Sequence, residues 1–499
     1  MITRAHTVAF LGVEAKPVEV QCAISPGLPA FSLVGLPDKA VSESKERVRA
    51  AMAAIGVALP SARITINLSP ADLPKAGSHY DLPIALSLMA ALEAIPAEEV
   101  DRYVAMGELS LDGQIGAVQG ALPAAIAAAA QDRGLICAAA AGREAAWVTA
   151  AEVLAPTSLI AVVNHFAGRE PLGHPEPGLV SSRRDTADLA DVKGQEIARR
   201  AIEVAAAGGH HVLMVGAPGS GKSMLARRLT GIMPALTPEE ALEVATIKSL
   251  SADMRSGEIC RERPYREPHH SASRAAMIGG GKNASPGEIS LAHLGVLFLD
   301  ELPEFDRNVL DSLREPLETG QVAVSRAMAR VTYPAKFLLV AAMNPCRCAY
   351  LNDPARACSR APRCGQDYQA RLSGPLIDRF DIRIEVPPVT PDVMSLPGHG
   401  ETSARVSHRV AEARAAQADR ARDGCGTNSD LEGEELEHVA APDDAGRNFL
   451  QEAAERFRYT ARGYHRVLRL ARTLADLEGA TAVKRIHVAE AVFYRRTMA

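Results

Sequence analysis

The stretch GAPGSGKS, residues 216–223, decides the fold of this chain. It fits the pattern G-x-x-x-x-G-K-[ST], in which glycines allow backbone N–H groups to wrap around a phosphate. An apolar strand-like segment, HVLMV at 211–215, lies directly before it, and a helix-like segment, MLARRLTGIM at 224–233, lies directly after it. A strand, a glycine-rich loop and a helix in this order predict a parallel α/β domain that binds a nucleoside triphosphate.

A second, acidic motif completes the expected nucleotide site. The stretch GVLFLDE, residues 295–301, is an apolar strand that delivers Asp300 to its carboxyl end, where open α/β sheets bind ligands. We expect Lys222 to reach the β- and γ-phosphates, and Ser223 and Asp300 to hold Mg²⁺. Glu301 would polarise the attacking water, so the two adjacent acids favour ATP hydrolysis over binding alone. The expected ATP and Mg²⁺ ligands in these motifs are Gly216, Ala217, Pro218, Gly219, Ser220, Gly221, Lys222, Ser223 and Asp300.

Composition limits the class of protein around this site. A chain of 499 residues is too long to fold around one hydrophobic core and suggests roughly two to four domains. No apolar run approaches the roughly 18 residues of a membrane span, and the first residues lack the apolar core of a signal peptide. We therefore expect a cytoplasmic protein with no membrane partner. Because the net charge is −5, any nucleic acid must be held by local basic patches.

The chain is predicted to be an α/β multidomain protein. Residues 1–166 alternate strand-like and helix-like pieces and form a first domain, and the Gly-, Pro- and Ser-rich segment 167–192 is a linker. Residues 193–390 hold the nucleotide motifs and four apolar strand segments, which suit a parallel sheet covered on both faces. Residues 391–499 show amphipathic spacing and predict a helical C-terminal domain.

The order of the polar residues resembles that of AAA+ ATPases. After Asp300 and Glu301 come a strand that ends in Asn344 (FLLVAAMN) and then the stretch LIDRFD at 376–381. The resemblance implies that Asn344 is the sensor 1 residue, which positions the attacking water. It also implies that Arg379 is an arginine finger that acts on the nucleotide of a neighbouring subunit. An arginine that acts in trans implies a ring, which in this family is a homo-hexamer.

The same resemblance assigns two further positions. TARGYHRVLRLARTLADLEG at 460–479 is similar to the sensor 2 helix of the AAA+ lid, with Arg462 in that role and Arg466 as the alternative. VKGQ at 192–195 resembles the adenine-side segment, which adds Gln195 to the ATP ligands. The implied catalytic residues are Lys222, Asp300, Glu301, Asn344, Arg379 and Arg462.

Two inserts resemble those of the magnesium-chelatase-like branch of AAA+ proteins. Residues 268–306 are similar to an insertion in the second helix of the ATPase domain, and residues 320–337 predict a β-hairpin with a polar tip. In the AAA+ group that includes MCM helicases both inserts point into the central pore, which implies DNA contacts. The expected DNA-binding residues are Ser325, Arg326, Arg330 and Lys282. Three arginines nearby either follow a phosphate backbone or belong to a solvated loop: Arg261, Arg263 and Arg266.

The N-terminal domain resembles the α+β fold of Lon-type proteases without its catalytic dyad. Residues 64–92 and 107–129 are similar to the segments that hold the catalytic serine and lysine in that family. Here Leu122 stands where the lysine is expected, and GSHYDL leaves no serine at the nucleophile position. A Ser–Lys dyad needs a hydroxyl next to an amine, and Ser78 and Lys75 lie off the pattern. We expect a docking or assembly module without peptidase activity.

A Lon-like domain, a chelatase-like core and a helical lid together resemble the bacterial ComM (YifB) family over essentially the whole chain. The resemblance implies a hexameric DNA helicase that drives branch migration in homologous recombination and natural transformation. Branched, single- or double-stranded DNA is the implied partner. Two alternatives stay open: a magnesium-chelatase motor subunit and an AAA+ ATPase that remodels proteins. The absence of an acidic, integrin-like segment argues against the first alternative.

Half of the eight cysteines lie close together in sequence. Cys346, Cys348, Cys358 and Cys364 fall within 19 residues, in a loop rich in Pro, Asp and Arg. Four thiolates suit a tetrahedral zinc site that closes such a loop. The spacing C-x-C-x₉-C-x₅-C is not that of the usual zinc knuckle, so reduced surface thiols are the alternative. The expected cofactors are therefore ATP and Mg²⁺, with Zn²⁺ as a structural third.

Overall fold

The computed structural model describes residues 2–181, 187–251, 257–281, 284–325, 330–349, 351, 358–390, 392–393, 400–421 and 426–495. Three units follow one another along the chain: an N-terminal sheet domain, a core built on a parallel sheet, and a set of C-terminal helices. The α/β multidomain class predicted from the sequence is confirmed. None of the described helices is both long enough and apolar enough to cross a membrane.

The N-terminal domain is built on a seven-stranded mixed sheet with helices on both faces. Its strands are β1 (Ile2–Leu11), β2 (Glu14–Ser25), β3 (Ala30–Val34), β4 (Arg63–Ser69), β5 (Tyr103–Ala105), β6 (Glu108–Leu109), β7 (Ile115–Gly116), β8 (Gly134–Ile136) and β9 (Val153–Leu154). Its helices are α1 (Lys39–Ala54), α2 (Asp81–Ala91), α3 (Ala97–Asp101), α4 (Ala121–Ala129), α5 (Ala139–Ala145) and α6 (Leu159–Phe166). The strand order is β3-β4-β2-β1-β5-β8-β9, and β6 pairs with β7 apart from it.

Both faces of this sheet are buried because successive residues of a strand point to opposite sides. On β1, Ala5 and Ala9 pack with α1 and α2, whereas Val8 packs with α4 and α5. The structure thus establishes a mixed α/β domain, and its specific likeness to Lon-type proteases stays a prediction.

The core that follows holds five parallel strands in the order β13-β16-β19-β11-β20. Its strands and the small ladders beside it are β10 (Val180–Ser181), β11 (Val212–Val215), β12 (Ile259–Cys260), β13 (Tyr265–Arg266), β14 (Gly279–Gly280), β15 (Ser285–Pro286), β16 (Val296–Leu299), β17 (Gln321–Ser325), β18 (Arg330–Pro334), β19 (Leu338–Met343) and β20 (Ile382–Glu385). Its helices are α7 (Glu196–Gly208), α8 (Lys222–Ile232), α9 (Pro238–Ser249), α10 (Arg274–Ile278), α11 (Glu288–Leu291), α12 (Arg307–Ser312), α13 (Arg314–Thr319), α14 (Arg363–Gln369) and α15 (Gly374–Ile377). All residues of β11, β16 and β19 are buried, as continuous apolar runs predict for a covered parallel sheet.

The C-terminal helices share one apolar core with a face of this sheet. They are α16 (Ser403–Arg420), α17 (Gly433–Val439), α18 (Asp444–Phe457), α19 (Ala461–Leu477) and α20 (Arg485–Tyr494). Val406 of α16 and Val467 of α19 are buried in the same cluster as Val212 of β11. The helical C-terminal region predicted from amphipathic spacing is therefore packed directly on the nucleotide-binding core.

The N-terminal domain contacts helix α9 of the core through α4. Leu122 is fully buried in a cluster with Leu236, Ala241 and Val244. Around it, the backbone N–H of Gly120 donates a 3.0 Å hydrogen bond to the carbonyl oxygen of Ser249. Leu122, where the resemblance to Lon-type proteases led us to expect a lysine, is thus an apolar contact between two domains.

The same domain also touches the hairpin formed by β17 and β18. Gly12, in the turn between β1 and β2, has φ +67°, and a Cβ there would lie 2.6 Å from the carbonyl oxygen of Thr332. This approach to strand β18 therefore requires glycine. A cavity of about 370 Å³ lies in the seam, lined on one side by Gly12 and Ser78 and on the other by Val331 and Tyr333.

Candidate nucleotide-binding site

The phosphate-binding loop connects the carboxyl end of β11 to the first turn of α8. Gly221 has φ 93° and precedes Lys222, the first residue of the helix. Gly216 lies against strand β20, where a Cβ would come within 2.2 Å of the carbonyl oxygen of Val386. These glycines let the backbone turn tightly and aim the N-terminus of α8 at the loop, which is the geometry that binds phosphate.

Lys222 is held inside this loop. Its Nζ donates hydrogen bonds of 2.8 Å and 2.9 Å to the carbonyl oxygens of Gly216 and Ala217, and it lies 3.4 Å from Oδ1 of Asn344. Burial lowers the pKa of Lys222, and the nearby Asp300 and Glu301 oppose that shift. Phosphate oxygens are charged and therefore stronger acceptors than carbonyl oxygens, so the ammonium group is poised to exchange one for the other.

A hydroxyl and a carboxylate meet beside the loop. The Ser223 hydroxyl donates a 2.8 Å hydrogen bond to Oδ2 of Asp300, whose Oδ1 accepts 2.9 Å from the backbone N–H of Glu301. Mg²⁺ prefers oxygen ligands of this kind, together with phosphate oxygens and water. Ser223 and Asp300 therefore fit the role of magnesium ligands next to the β- and γ-phosphates.

Glu301 lies at the rim of the site. Its side chain is half exposed, and Nδ1 of His270 lies 3.5 Å from its Oε2. An exposed carboxylate at the end of β16 can reach a water that attacks a bound phosphate. The placement of His270 against Glu301 has no signature in the sequence.

Gln195 lies on the opposite side of the loop from the acids. It caps the N-terminus of α7 with φ 59°, and its Nε2 donates 3.2 Å to the carbonyl oxygen of Ser220 and 2.5 Å to that of Pro387. The structure thus brings Gln195, the loop, Ser223, Asp300, Glu301 and Asn344 to one edge of the sheet.

Arg379 lies at the other edge. Strand β20 runs parallel to β11, with Ile382 beside Val212 and Glu385 beside Val215. Arg379 precedes β20, whereas the phosphate-binding loop follows β11. Along the strand direction, Arg379 and the loop are therefore separated by the four-residue length of the paired strands, which is about 13 Å. The side chain of Arg379 is buried and donates hydrogen bonds to the Glu318 carboxylate and, at 2.9 Å, to the carbonyl oxygen of Pro375.

Arg466 of helix α19 joins Arg379 at this edge. Its Nη1 donates a 2.7 Å hydrogen bond to the carbonyl oxygen of Arg379 and lies 2.5 Å from Oδ1 of Asp381. Burial alone would raise the pKa of Asp381, but Arg466 with His210 and His211 outweighs it and lowers the pKa to about 2. Arg462, in the first turn of the same helix, is exposed. The structure therefore places the alternative sensor 2 arginine, Arg466, beside Arg379.

The hairpin predicted for 320–337 is present as β17 and β18. Ser325 pairs with Arg330 at the last step of the ladder, and the side chains of both lie outside the described part of the chain. Arg326 and Lys282 also lie outside the described residues. Contact of these four residues with DNA stays a prediction.

The three arginines near the other insert are bound within the chain. Arg261 and Arg263 donate hydrogen bonds of 3.0 Å and 2.7 Å to the carbonyl oxygens of Leu236 and Pro234. Arg266 forms a 2.6 Å ion pair with Glu288. These contacts favour a structural role for the three arginines over a path for a phosphate backbone.

Ser78 and Lys75 of the N-terminal domain do not hydrogen bond to each other. Ser78 donates its hydroxyl hydrogen bond to the Glu108 carboxylate, and buried Lys75 donates to the carbonyl oxygen of Pro70. Each side chain is therefore bonded to a group other than its expected partner, and the lack of peptidase activity stays a prediction.

Three of the four clustered cysteines come together after β19. The sulfur atoms of Cys346, Cys348 and Cys364 all lie within 4.8 Å of one another. Cys358 is half-buried and hydrogen bonds to Cys364. None of the seven cysteines that the structure describes forms a disulfide.

A phosphate-binding loop after β11, two acids directly after β16 and an arginine edge on the same parallel sheet define a P-loop ATPase of the AAA+ class. Family models agree with this class. Residues 188–394 match the model described as "Magnesium chelatase, subunit ChlI", residues 18–141 match "Subunit ChlI of Mg-chelatase", and residues 400–495 match the ChlI C-terminal model.

Whole-chain relatives narrow the class to one family. The chain is 44% identical to the protein YifB of Salmonella typhimurium over 98% of this chain and 96% of that protein. It is 43% identical to the competence protein ComM of Haemophilus influenzae over the same shares. The 38 kDa subunit of magnesium chelatase from Rhodobacter capsulatus is 27% identical over 56% of this chain and 77% of that subunit. The chain belongs to the ComM/YifB family of magnesium-chelatase-like AAA+ ATPases.

Proposed function

We propose that this chain is the subunit of a hexameric, ATP-driven DNA translocase that acts in the cytoplasm and drives branch migration in homologous recombination and natural transformation. The single observation that carries the ring is the separation of Arg379 and Arg466 from the chain's own nucleotide loop. Because both arginines lie at the opposite edge of the sheet, their position favours a nucleotide bound to another copy of the chain over the chain's own. In a closed ring every copy has a neighbour, so every nucleotide site receives its arginine from the next copy.

At one interface between two subunits, the residues have separate tasks. One subunit supplies Lys222 for the β- and γ-phosphates, Ser223 and Asp300 for Mg²⁺, and Glu301 with Asn344 for the attacking water. Its neighbour supplies Arg379, which neutralises charge on the transferred phosphoryl group. ATP and Mg²⁺ are the cofactors of this proposal, with Zn²⁺ at the four clustered cysteines as a structural addition.

Two facts support DNA as the substrate that moves. A relative at 43% identity over nearly the whole chain bears the name competence protein. In addition, the β17–β18 hairpin ends in a sequence with two arginines, Arg326 and Arg330, which can follow a phosphate backbone without reading bases.

The test is ATP turnover of the full chain with no DNA, with duplex DNA and with four-way DNA. We expect turnover to rise several-fold with branched DNA and the particle mass to rise to six copies with nucleotide and DNA. Lys222→Ala gives the background rate. A turnover indifferent to every DNA, in a chain that stays monomeric, would contradict the proposal and favour a chelatase motor or a protein remodeller.

A further inference from the structure

We propose that Cys346, Cys348, Cys358 and Cys364 bind one zinc ion, which fastens the segment after Asn344 to the helix that leads to Arg379. The metal site stands on the cysteines alone. The role of the zinc ion in fastening these segments rests on the proposed function. In that proposal Asn344 positions the attacking water and Arg379 is the arginine finger, and the zinc ion links their two segments.

The spacing of the sulfur atoms fits a tetrahedral metal. A zinc ion with Zn–S bonds of about 2.3 Å holds its sulfur atoms about 3.8 Å apart. The Sγ atoms of Cys346 and Cys348 are 3.1 Å apart, and those of Cys346, Cys348 and Cys364 all lie within 4.8 Å, so the observed distances bracket that value. A disulfide would need about 2.05 Å, which these thiols do not approach.

Cys358 supplies the fourth ligand. It is half-buried and hydrogen bonds to Cys364, so its thiol already borders the group of three. The set is then four sulfur donors, which selects zinc over magnesium or calcium, since those ions prefer oxygen. Four sulfur ligands leave no open position, so the site is structural.

The ligands come from two segments that the fold brings together. Cys346 is fully buried and follows Asn344 at the end of β19, whereas Cys364 lies in the first turn of α14. The two segments already approach closely, because a Cβ added at Gly365 would lie 3.4 Å from the carbonyl oxygen of Pro345. Helices α14 and α15 then lead directly to Arg379. A metal across this junction ties sensor 1 to the finger segment.

Zinc content of the full-length chain tests the site directly. Elemental analysis after dialysis should give about one zinc per chain for the unaltered protein and for Cys260→Ser, a half-buried thiol outside the cluster. Cys346→Ser and Cys358→Ser should lose most of the metal, and Co²⁺ in place of zinc should show the visible bands of a tetrahedral thiolate site. A metal content that is near zero in the unaltered chain, or equal in Cys358→Ser, overturns the proposal.

Nucleotide binding and turnover test the fastening role. Cys358 is half-buried and far from the phosphate loop in sequence, so Cys358→Ser should fold even if Cys346→Ser does not. We expect its affinity for a fluorescent ATP analogue to stay within about twofold, while DNA-stimulated turnover falls about tenfold or more. Full turnover in a metal-free Cys358→Ser chain contradicts the fastening role. Loss of DNA stimulation in the unaltered chain instead counts against the proposed function, and leaves the zinc measurement intact.

Discussion

The guanidinium group of Arg466 donates a 2.7 Å hydrogen bond to the backbone carbonyl oxygen of Arg379. This contact joins the C-terminal helices to the segment that carries the proposed arginine finger. Both arginines sit at the amino edge of β20, and the phosphate loop sits beyond the carboxyl edge of β11. In the proposed ring, the two halves of one hydrolytic site therefore come from two copies of the chain.

Mixing two inactive variants tests that division. Lys222→Ala removes the pocket cation, and Arg379→Ala removes the finger, which we expect to lower turnover on the order of a thousandfold. An equal mixture should regain about a quarter of the unaltered rate. The reason is that one subunit interface in four joins a chain with Lys222 intact to a neighbour with Arg379 intact. The measurement is steady-state ATP turnover after the subunits have exchanged.

The matched control for the mixture combines Lys222→Ala with Glu301→Gln. Both changes damage the same pocket, so no seam in that mixture has a whole site, and turnover should stay at background. No recovery in the mixture with Arg379→Ala would place all active groups in one chain, whereas recovery in the control would place Lys222 and Glu301 on different chains.

The Arg466–Asp381 pair predicts a stability change in acid. The pKa of Asp381 is lowered to about 2 in the folded chain, from about 3.9 in an unfolded one. The folded state therefore gains stability above pH 4, and loses about 2 kcal/mol as pH falls from about 4 to about 2. Urea unfolding of the unaltered chain at several pH values should show this loss.

Asp381→Asn should flatten that acid-induced loss, at the cost of lower stability at neutral pH. Asp378→Asn is the matched control, because Asp378 lies in the same segment with its side chain 59% exposed. An equal pH response in the Asp381→Asn chain would rule out this pair as the source.

Arg326→Ala tests the hairpin. Basal ATP turnover should remain near normal, because the residue lies in the β17–β18 connection and not in the phosphate loop. DNA unwinding should weaken, and the slope of log affinity against log salt should become shallower by about 1, because one phosphate is no longer neutralised. Lys336→Ala is the control, since Lys336 lies after β18 and pairs with Asp430 at 3.0 Å. Unwinding at the normal rate would remove Arg326 from the mechanism.

Leu122→Ala tests the seam between the N-terminal domain and α9. A fully buried leucine replaced by alanine loses about 2–5 kcal/mol. Backbone amides of α9 should therefore exchange with solvent faster, which hydrogen-exchange mass spectrometry measures. Ile126→Ala, one turn further along α4 and 39% exposed, should change exchange little. Equal protection of α9 in both variants would mean that Leu122 does not hold the seam.

The sequence predicted those parts of the molecule that local patterns encode. The apolar runs before Gly216, Asp300 and Asn344 are strands β11, β16 and β19, because a buried parallel strand needs only a short continuous apolar stretch. The C-terminal region is also helical, as its amphipathic spacing predicted, since that spacing indicates a helix without knowledge of its neighbours.

Contacts between distant segments could not be predicted in this way. Nothing local to Leu122 shows that it meets α9, more than a hundred residues further on, because an apolar residue in an alanine-rich helix fits any core. The choice between Arg462 and Arg466 likewise depends on how α19 docks against Asp381. The position of His270 against Glu301 follows from the path of a loop, for which periodicity gives no rule.

The cavity between the N-terminal domain and the β17–β18 hairpin is a place where a small molecule can bind without competing with ATP. It lies between Ser78 of the N-terminal domain and Tyr333 of the hairpin, and Leu250, directly after α9, also borders it. A small molecule wedged there would push against hairpin and helix together. Such a molecule would act apart from the nucleotide, because none of the residues that line the cavity belongs to the phosphate loop.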